Sequence, residues 1–210
     1  MARIPADFAT NVFINCPFDV EYSHLFNVMV FTIHDIGFRP RCAREVNNAG
    51  QFRLDKILDI IAECKYGIHD ISRTELDAVS GLPRFNMPLE LGLDLGCKRF
   101  GKAYQQEKVS LILDKEDYRY QRCISDIAGQ DISVHGDDEK KLVGIIRNWL
   151  SKEVDPKVTF VPGEDCIFQR YQSFQSALPS LCNRLKWNPG NLAFFDFSYA
   201  VASWITMNPI

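Results

Sequence analysis

Glu90 stands between Leu89 and Leu91 in a segment that opens with Pro88. Proline suits the first turn of a helix, so this spacing predicts a helix start with a carboxylate among apolar neighbours. Arg84, Phe85 and Asn86 of the preceding loop would wall it in. A carboxylate held that way can attack, or stabilise, a sugar cation at an anomeric carbon. Partial burial would raise its pKa, while Arg84 and the helix N-terminus would lower it. The plainer reading is a helix-start glutamate that complements the dipole. Asp70 ends an apolar run and either orients a ligand or caps the turn at Ser72. His69 faces the opposite way, because side chains alternate along a strand. It reads as a satisfied core histidine rather than as a dyad partner of Asp70.

Three segments should meet at the carboxyl ends of the strands, where open parallel sheets bind ligands. Asn15, Cys16, Pro17 and Phe18 follow the first strand. Asp70 and Ser72 end the third. Arg84, Phe85, Asn86 and Met87 lead into the Glu90 helix. Arg41 and Arg84 stand next to strand-end loops and could fork onto a phosphate. Arg44, Arg53 and Arg73 could do the same from less favourable positions, solvated surface being the plainer reading for most of the five. Phe18 or Phe85 could stack on a base. Cys16 has no histidine near it in the chain to activate it as a nucleophile. No GxxxxGK[ST], no GxGxxG after the first strand and no HExxH occurs, which argues against a P-loop NTPase, a standard Rossmann dehydrogenase and a zincin.

The elements that must hold these residues alternate. Apolar runs at 11–15, 38–42, 65–71 and 109–113 and a weak one at 131–134 read as strands. Helical spacing covers 21–36, 53–64, 89–97, 120–128 and 138–151. In the second of these, Leu54, Ile57, Leu58, Ile61 and Ala62 should share the buried face. Residues 72–83 read as a loop and 155–163 as a linker. Such alternation predicts an α/β fold, a flavodoxin-like three-layer sandwich with a central five-stranded parallel sheet. Residues 10–153 would form a nucleotide-binding domain. Residues 164–207 would add two aromatic-rich helices that pack on the core, on each other or on a second subunit.

The 210 residues are 46% hydrophobic and 24% charged, with net charge -3, an ordinary globular balance. Lys and Arg are scattered, so no general grip on nucleic acid is expected. Seven cysteines without a CxxC pair read as buried thiols, with no zinc site. No long apolar stretch or secretory pattern is seen, so a cytoplasmic protein with no membrane contact is expected.

The strand-end Asp70 followed by Glu90-Leu91-Gly92 resembles the nucleoside 2-deoxyribosyltransferase superfamily. The opening residues 12–18 are similar to that family's first strand and substrate loop. TIR domains share the topology and a similarly placed glutamate, and several bacterial TIR-like proteins of antiviral defence have this general look. Where the transferases carry small Gly and Ser residues, this chain has Arg84, Phe85 and Asn86. The resemblance implies Glu90 as the catalytic residue and Asp70 as the earlier acid. It implies a nucleotide or NAD as substrate or ligand and cleavage of an N-glycosidic bond. No metal or redox cofactor is needed for that bond. The alternative is a nucleotide-sensing signalling or assembly module without turnover, homo-oligomeric and open to a partner protein.

Overall fold

The computed structural model describes residues 3–45, 48–74, 81–155 and 160–210. Five strands form: β1 (Asn11–Asn15), β2 (Arg39–Cys42), β3 (Tyr66–Asp70), β4 (Val109–Asp114) and β5 (Ile132–Val134). They make one all-parallel sheet in the order β2-β1-β3-β4-β5. Every residue of β1 and β3 is buried, which suits central strands of a parallel sheet. Asn15 pairs with His69, and Asp70 with Leu113. The carboxyl ends of β1, β3 and β4 therefore lie in line. The strand order reverses between β1 and β3, the position at which doubly wound sheets bind ligands.

Among the described residues six α-helices accompany the strands: α1 (Ser23–Asp35), α2 (Arg53–Ala62), α3 (Asn86–Phe100), α4 (Glu139–Leu150), α5 (Glu164–Leu185) and α6 (Phe194–Met207). The chain divides into two compact units, Met1–Tyr22 with Arg41–Asp137, and Ser23–Pro40 with Asp138–Ile210. In the first, Phe13 of β1 packs with Ile57, Ile60 and Ile61 of α2. Met87 and Leu91 of α3 pack with Ile71, Ile112 and Tyr120.

The second unit gathers α1, α4, α5 and α6. Phe31 of α1 meets Tyr171 and Phe174 of α5 and Trp204 of α6 at ring distances of 5.5, 5.5 and 5.9 Å. Arg170 forks onto the buried Asp35, with Nη2 2.9 Å and Nε 3.1 Å from Oδ1. Its guanidinium also lies over Trp204, 5.3 Å from the ring centre. The aromatic load of the last two helices is thus met by α1. The contacts group residues 164–207 with α1 and α4, a division the chain order alone does not suggest.

Three local expectations change. The buried face of α2 carries Ile57, Ile60 and Ile61, whereas Leu54 and Leu58 are exposed. The stretch 120–128 is two 3₁₀ turns, Arg119–Arg122 and Ser125–Ile127. Ile124 between them leaves helical geometry, at φ -139° and ψ 64°. α3 begins at Asn86 rather than Leu89, with Phe85 at its N-cap. Pro88 is tolerated there because first-turn N–H groups have no intrahelical acceptor. Residues 75–80 of the expected loop and 156–159 of the expected linker lie outside the described residues.

Candidate active site

The buried stripe of α3 is Met87, Glu90, Leu91 and Asp94, the i, i+3, i+4, i+7 spacing of one helical face. Two acids therefore point inward, one turn apart. Their surroundings differ. Asp94 meets Lys108 Nζ at 2.9 Å and His69 Nε2 at 3.1 Å, all three side chains being fully buried. Ser110 Oγ donates to it at 2.8 Å. Lys108 also donates to the carbonyls of Ile61, at 2.8 Å, and Cys64. Burial alone would raise the Asp94 pKa, but His69 and Lys108 outweigh it and hold the carboxyl below the usual aspartate range.

The network continues to the sheet edge. Asn15 Nδ2 lies 3.1 Å from His69 Nδ1 and donates to the Met87 carbonyl at 2.8 Å. An acceptor at Nδ1 puts the histidine proton on Nε2, facing Asp94. Close packing makes this arrangement intolerant. A Cβ added at Gly67 would stand 2.7 Å from His69 Nε2 and 2.9 Å from Asp94 Oδ2. Gly67→Ala is therefore expected to cost about 1–3 kcal/mol of stability, read as a lower urea midpoint. An unchanged midpoint would mean that the network yields freely.

Glu90 has no such partners. It is 8% exposed. Among the described residues it makes no hydrogen bond or ion pair. Burial pushes its pKa up to about 7, with the charge of Arg53 pulling the other way. Because α3 starts at Asn86, Glu90 falls in the second turn, beyond the strongest part of the helix dipole. A carboxyl in this state is divided between acid and base at neutral pH, the condition that favours proton transfer or attack on an electrophilic carbon.

Asp70 comes to the same strand ends from the other face of β3, as alternation requires. It is fully buried. Its Oδ1 accepts the Ser72 N–H at 2.8 Å, and its Oδ2 accepts the Tyr22 hydroxyl. His135 Nε2 lies 3.0 Å from Oδ2. The Asp137 N–H donates to His135 Nδ1 at 3.0 Å, which leaves the histidine proton on Nε2, toward Asp70. Asp114 at the end of β4 takes Arg119 on Oδ1 at 2.5 Å, while its buried Oδ2 has no partner among the described residues. Burial raises the Asp114 pKa, Arg119 opposes this and Asp70 adds to it. Cys16 lies in the field of both site acids. Burial pushes its thiol well up, with Asp70, Cys42 and Glu90 adding and Arg44 opposing. It stays a neutral thiol, which speaks against a nucleophilic role.

The remaining expected site residues fall into two groups. Asn15, Pro17, Ser72 and Met87 are buried. Asn15 and Ser72 are committed to the bonds above, and Met87 to the core beside Ile71. Phe18 is half-buried, while Phe85 and Asn86 are exposed. Arg84 reaches Asp19 at 2.9 Å. Arg41 is the correction. Its guanidinium, expected to grip phosphate, is held by Glu45 at 2.6 Å and Glu63 at 3.1 Å. It is Arg44 that lies over Phe18, 5.6 Å from the ring centre.

Sequence reasoning did not single out Tyr22, Asp94, Lys108 or His135. Asp94 was detectable as a second acid on the apolar stripe, and His135 as the residue after the last strand. Tyr22 and Lys108 carry no local sign. Among the described residues no group of three His, Cys, Asp or Glu side chains is placed to hold a metal ion. No helix among them is long and apolar enough to cross a membrane. All seven cysteines are free thiols, four of them buried. No family model, curated protein or solved structure matches the chain.

Proposed function

We propose that the chain cleaves or transfers the N-glycosidic bond of a nucleotide, either NAD or a deoxynucleotide, with Glu90 as the reacting carboxylate. The observation that carries this reading is the contrast along α3. One buried acid is neutralised on every side, and the other, a turn nearer the strand ends, is left without a partner and with its pKa near neutral. Leaving a buried acid unpaired is costly, and such costs collect where chemistry is done.

In this mechanism the C1′–N bond breaks and its electron pair leaves with the base. Ionised Glu90 stabilises the cation that develops at C1′, or attacks it to form a glycosyl ester. Water or an acceptor base then takes the sugar. Asp70, fully buried on the other face of β3 with its oxygens taken by Tyr22 and Ser72, takes no direct part in this step.

Chromatography of NAD and of each deoxynucleoside monophosphate, incubated with wild type and with Glu90→Gln, tests the proposal. Wild type is expected to consume one pool, and Glu90→Gln to lose about 10²–10⁴-fold in rate. Intact substrates in both pools with wild type would remove catalysis and leave the nucleotide-sensing alternative.

A further inference from the structure

Glu90 is bracketed. Three residues before it, the Met87 carbonyl in the first turn of α3 accepts a hydrogen bond from Asn15 Nδ2 at 2.8 Å. Four residues after it, Asp94 Oδ2 lies 3.1 Å from His69 Nε2. The two grips meet in one ring, because Asn15 Nδ2 also lies 3.1 Å from His69 Nδ1. Asn15 thus gives one amide hydrogen to the imidazole and the other to the helix. Turning the amide over would set its oxygen against the Met87 carbonyl and the Nδ1 lone pair, so its orientation is fixed. The His69 ring is fully buried and stands edge-on to Phe13, with ring centres 5.9 Å apart. Asn15 and His69 are paired positions of β1 and β3, so the bracket is built on two buried strands.

The bracket grips the stripe on which Glu90 itself lies. A rotation of α3 that carried Glu90 outward would break both contacts. The N-cap residue, Phe85, makes no capping hydrogen bond that would fix the helix start. Apolar side chains at 15 and 69 would fill the same space with less directional constraint, whereas a satisfied buried polar network rigidifies what it joins. We infer that Asn15 and His69 are positioning residues for Glu90, tying α3 to β1 and β3 so that the Glu90 carboxyl keeps one place and its shelter from water. Their part in turnover rests on the glycosidic reading, whereas their hold on Glu90 does not.

Carbon-13 NMR titration of the full chain labelled in glutamate tests this, with the Glu90 signal assigned by its loss in Glu90→Gln. Asn15→Leu removes both donors at little change of shape. His69→Gln keeps an amide donor near the place of Nε2 for Asp94 and leaves Asn15 without its acceptor. Circular dichroism checks each fold, and either variant that folds decides. In wild type the signal is expected to titrate at about 7. In the variants water reaches the carboxyl, and its proton affinity should fall about tenfold or more. Arg53, Cys16 and Asp94, the charged or titratable groups that interact with Glu90 or share its stripe, are retained in both. Phe31→Leu, which loosens the aromatic core around α1, should leave the titration where it is. Where wild type turns over a nucleotide, both variants should lose about 10²-fold in kcat with KM held within about threefold. An unmoved Glu90 titration in the folded variants, an equal fall in Phe31→Leu, or a wild-type Glu90 at the ordinary 4.5 would overturn the bracket. An unchanged kcat would overturn its part in turnover. A shifted Glu90 in the variants, with no turnover of any nucleotide by wild type, would remove the glycosidic reading and leave the bracket standing.

Discussion

Glu90→Gln is expected to be more stable than the wild-type protein at pH 8, by about 2–3 kcal/mol, and nearly equal to it at about pH 4. The unfolded chain releases the Glu90 proton around the ordinary 4.5, and the folded chain around 7. Between those values the folded state holds a proton that the unfolded state has given up. Stability therefore falls as pH rises through this window, and the full cost remains above it. Each tenfold in proton affinity is worth about 1.4 kcal/mol, and the upper part of that sum is trimmed because the carboxyl is not wholly shut off from water. A neutral glutamine of the same shape escapes the penalty. The alternative role for Glu90, a helix-start acid that complements the dipole, predicts the opposite sign: loss of about 0.3–1 kcal/mol on substitution. Urea unfolding of both proteins at four pH values between about 4 and 8 separates the two. A gap that opens across the window supports a carboxylate kept at a cost to stability. A pH-independent loss would mean that Glu90 serves the fold, and the active-site reading would lose its main support.

Most of the sheet was legible because its strands are short apolar runs ended by turn residues. Residues 11–15 and 65–71 needed no tertiary information beyond burial on both faces. Glu90 was legible too, as an acid between leucines at a helix start, but its exact turn was not. Phe85 and Asn86 carry no strong helix signal, so the residue pattern alone places the start at the proline. What stayed hidden depends on partners distant in the chain. Nothing local to Asp70 announces that Tyr22 and His135 will reach it. Nothing near Arg41 shows that Glu63, at the C-cap of the next helix, will help to occupy it. The reading of α2 failed for a different reason. Leucines at 54 and 58 fit the helical period as well as the isoleucine at 60 does, and only the docked helix shows which side meets Phe13. The grouping of α1 with α5 and α6 follows from aromatic contacts made by Phe31, a residue that reads in sequence as ordinary crossover-helix filling.

Lys108→Met is expected to cost about 3–5 kcal/mol, the range for removing one partner of a buried ion pair. The lysine is fully buried, pairs with Asp94 Oδ1 at 2.9 Å and donates to the carbonyls of Ile61 and Cys64. Methionine fills much of the same volume, so the loss reports charge and hydrogen bonds more than packing. Asp94 would remain in the interior with only His69 and Ser110 to balance it. The pH dependence should change with it. In wild type Asp94 ionises below its ordinary 3.8. Its contribution to stability is therefore complete above that value and is lost as pH falls below it. In Lys108→Met the folded pKa should rise, so this contribution should begin to fail at higher pH. A second variant keeps the test sharp. Replacing both partners, as Lys108→Met/Asp94→Leu, removes the unpaired charge and should recover a large part of the loss. If the double variant is no more stable than the single one, the damage lies in the freed Ile61 and Cys64 carbonyls and not in the orphaned acid. The contrast drawn between Asp94 and Glu90 would then rest on hydrogen bonding rather than charge. If Lys108→Met costs less than about 1 kcal/mol, Asp94 is satisfied without it. Unpaired Glu90 would then no longer stand out as the acid that the fold leaves uncompensated.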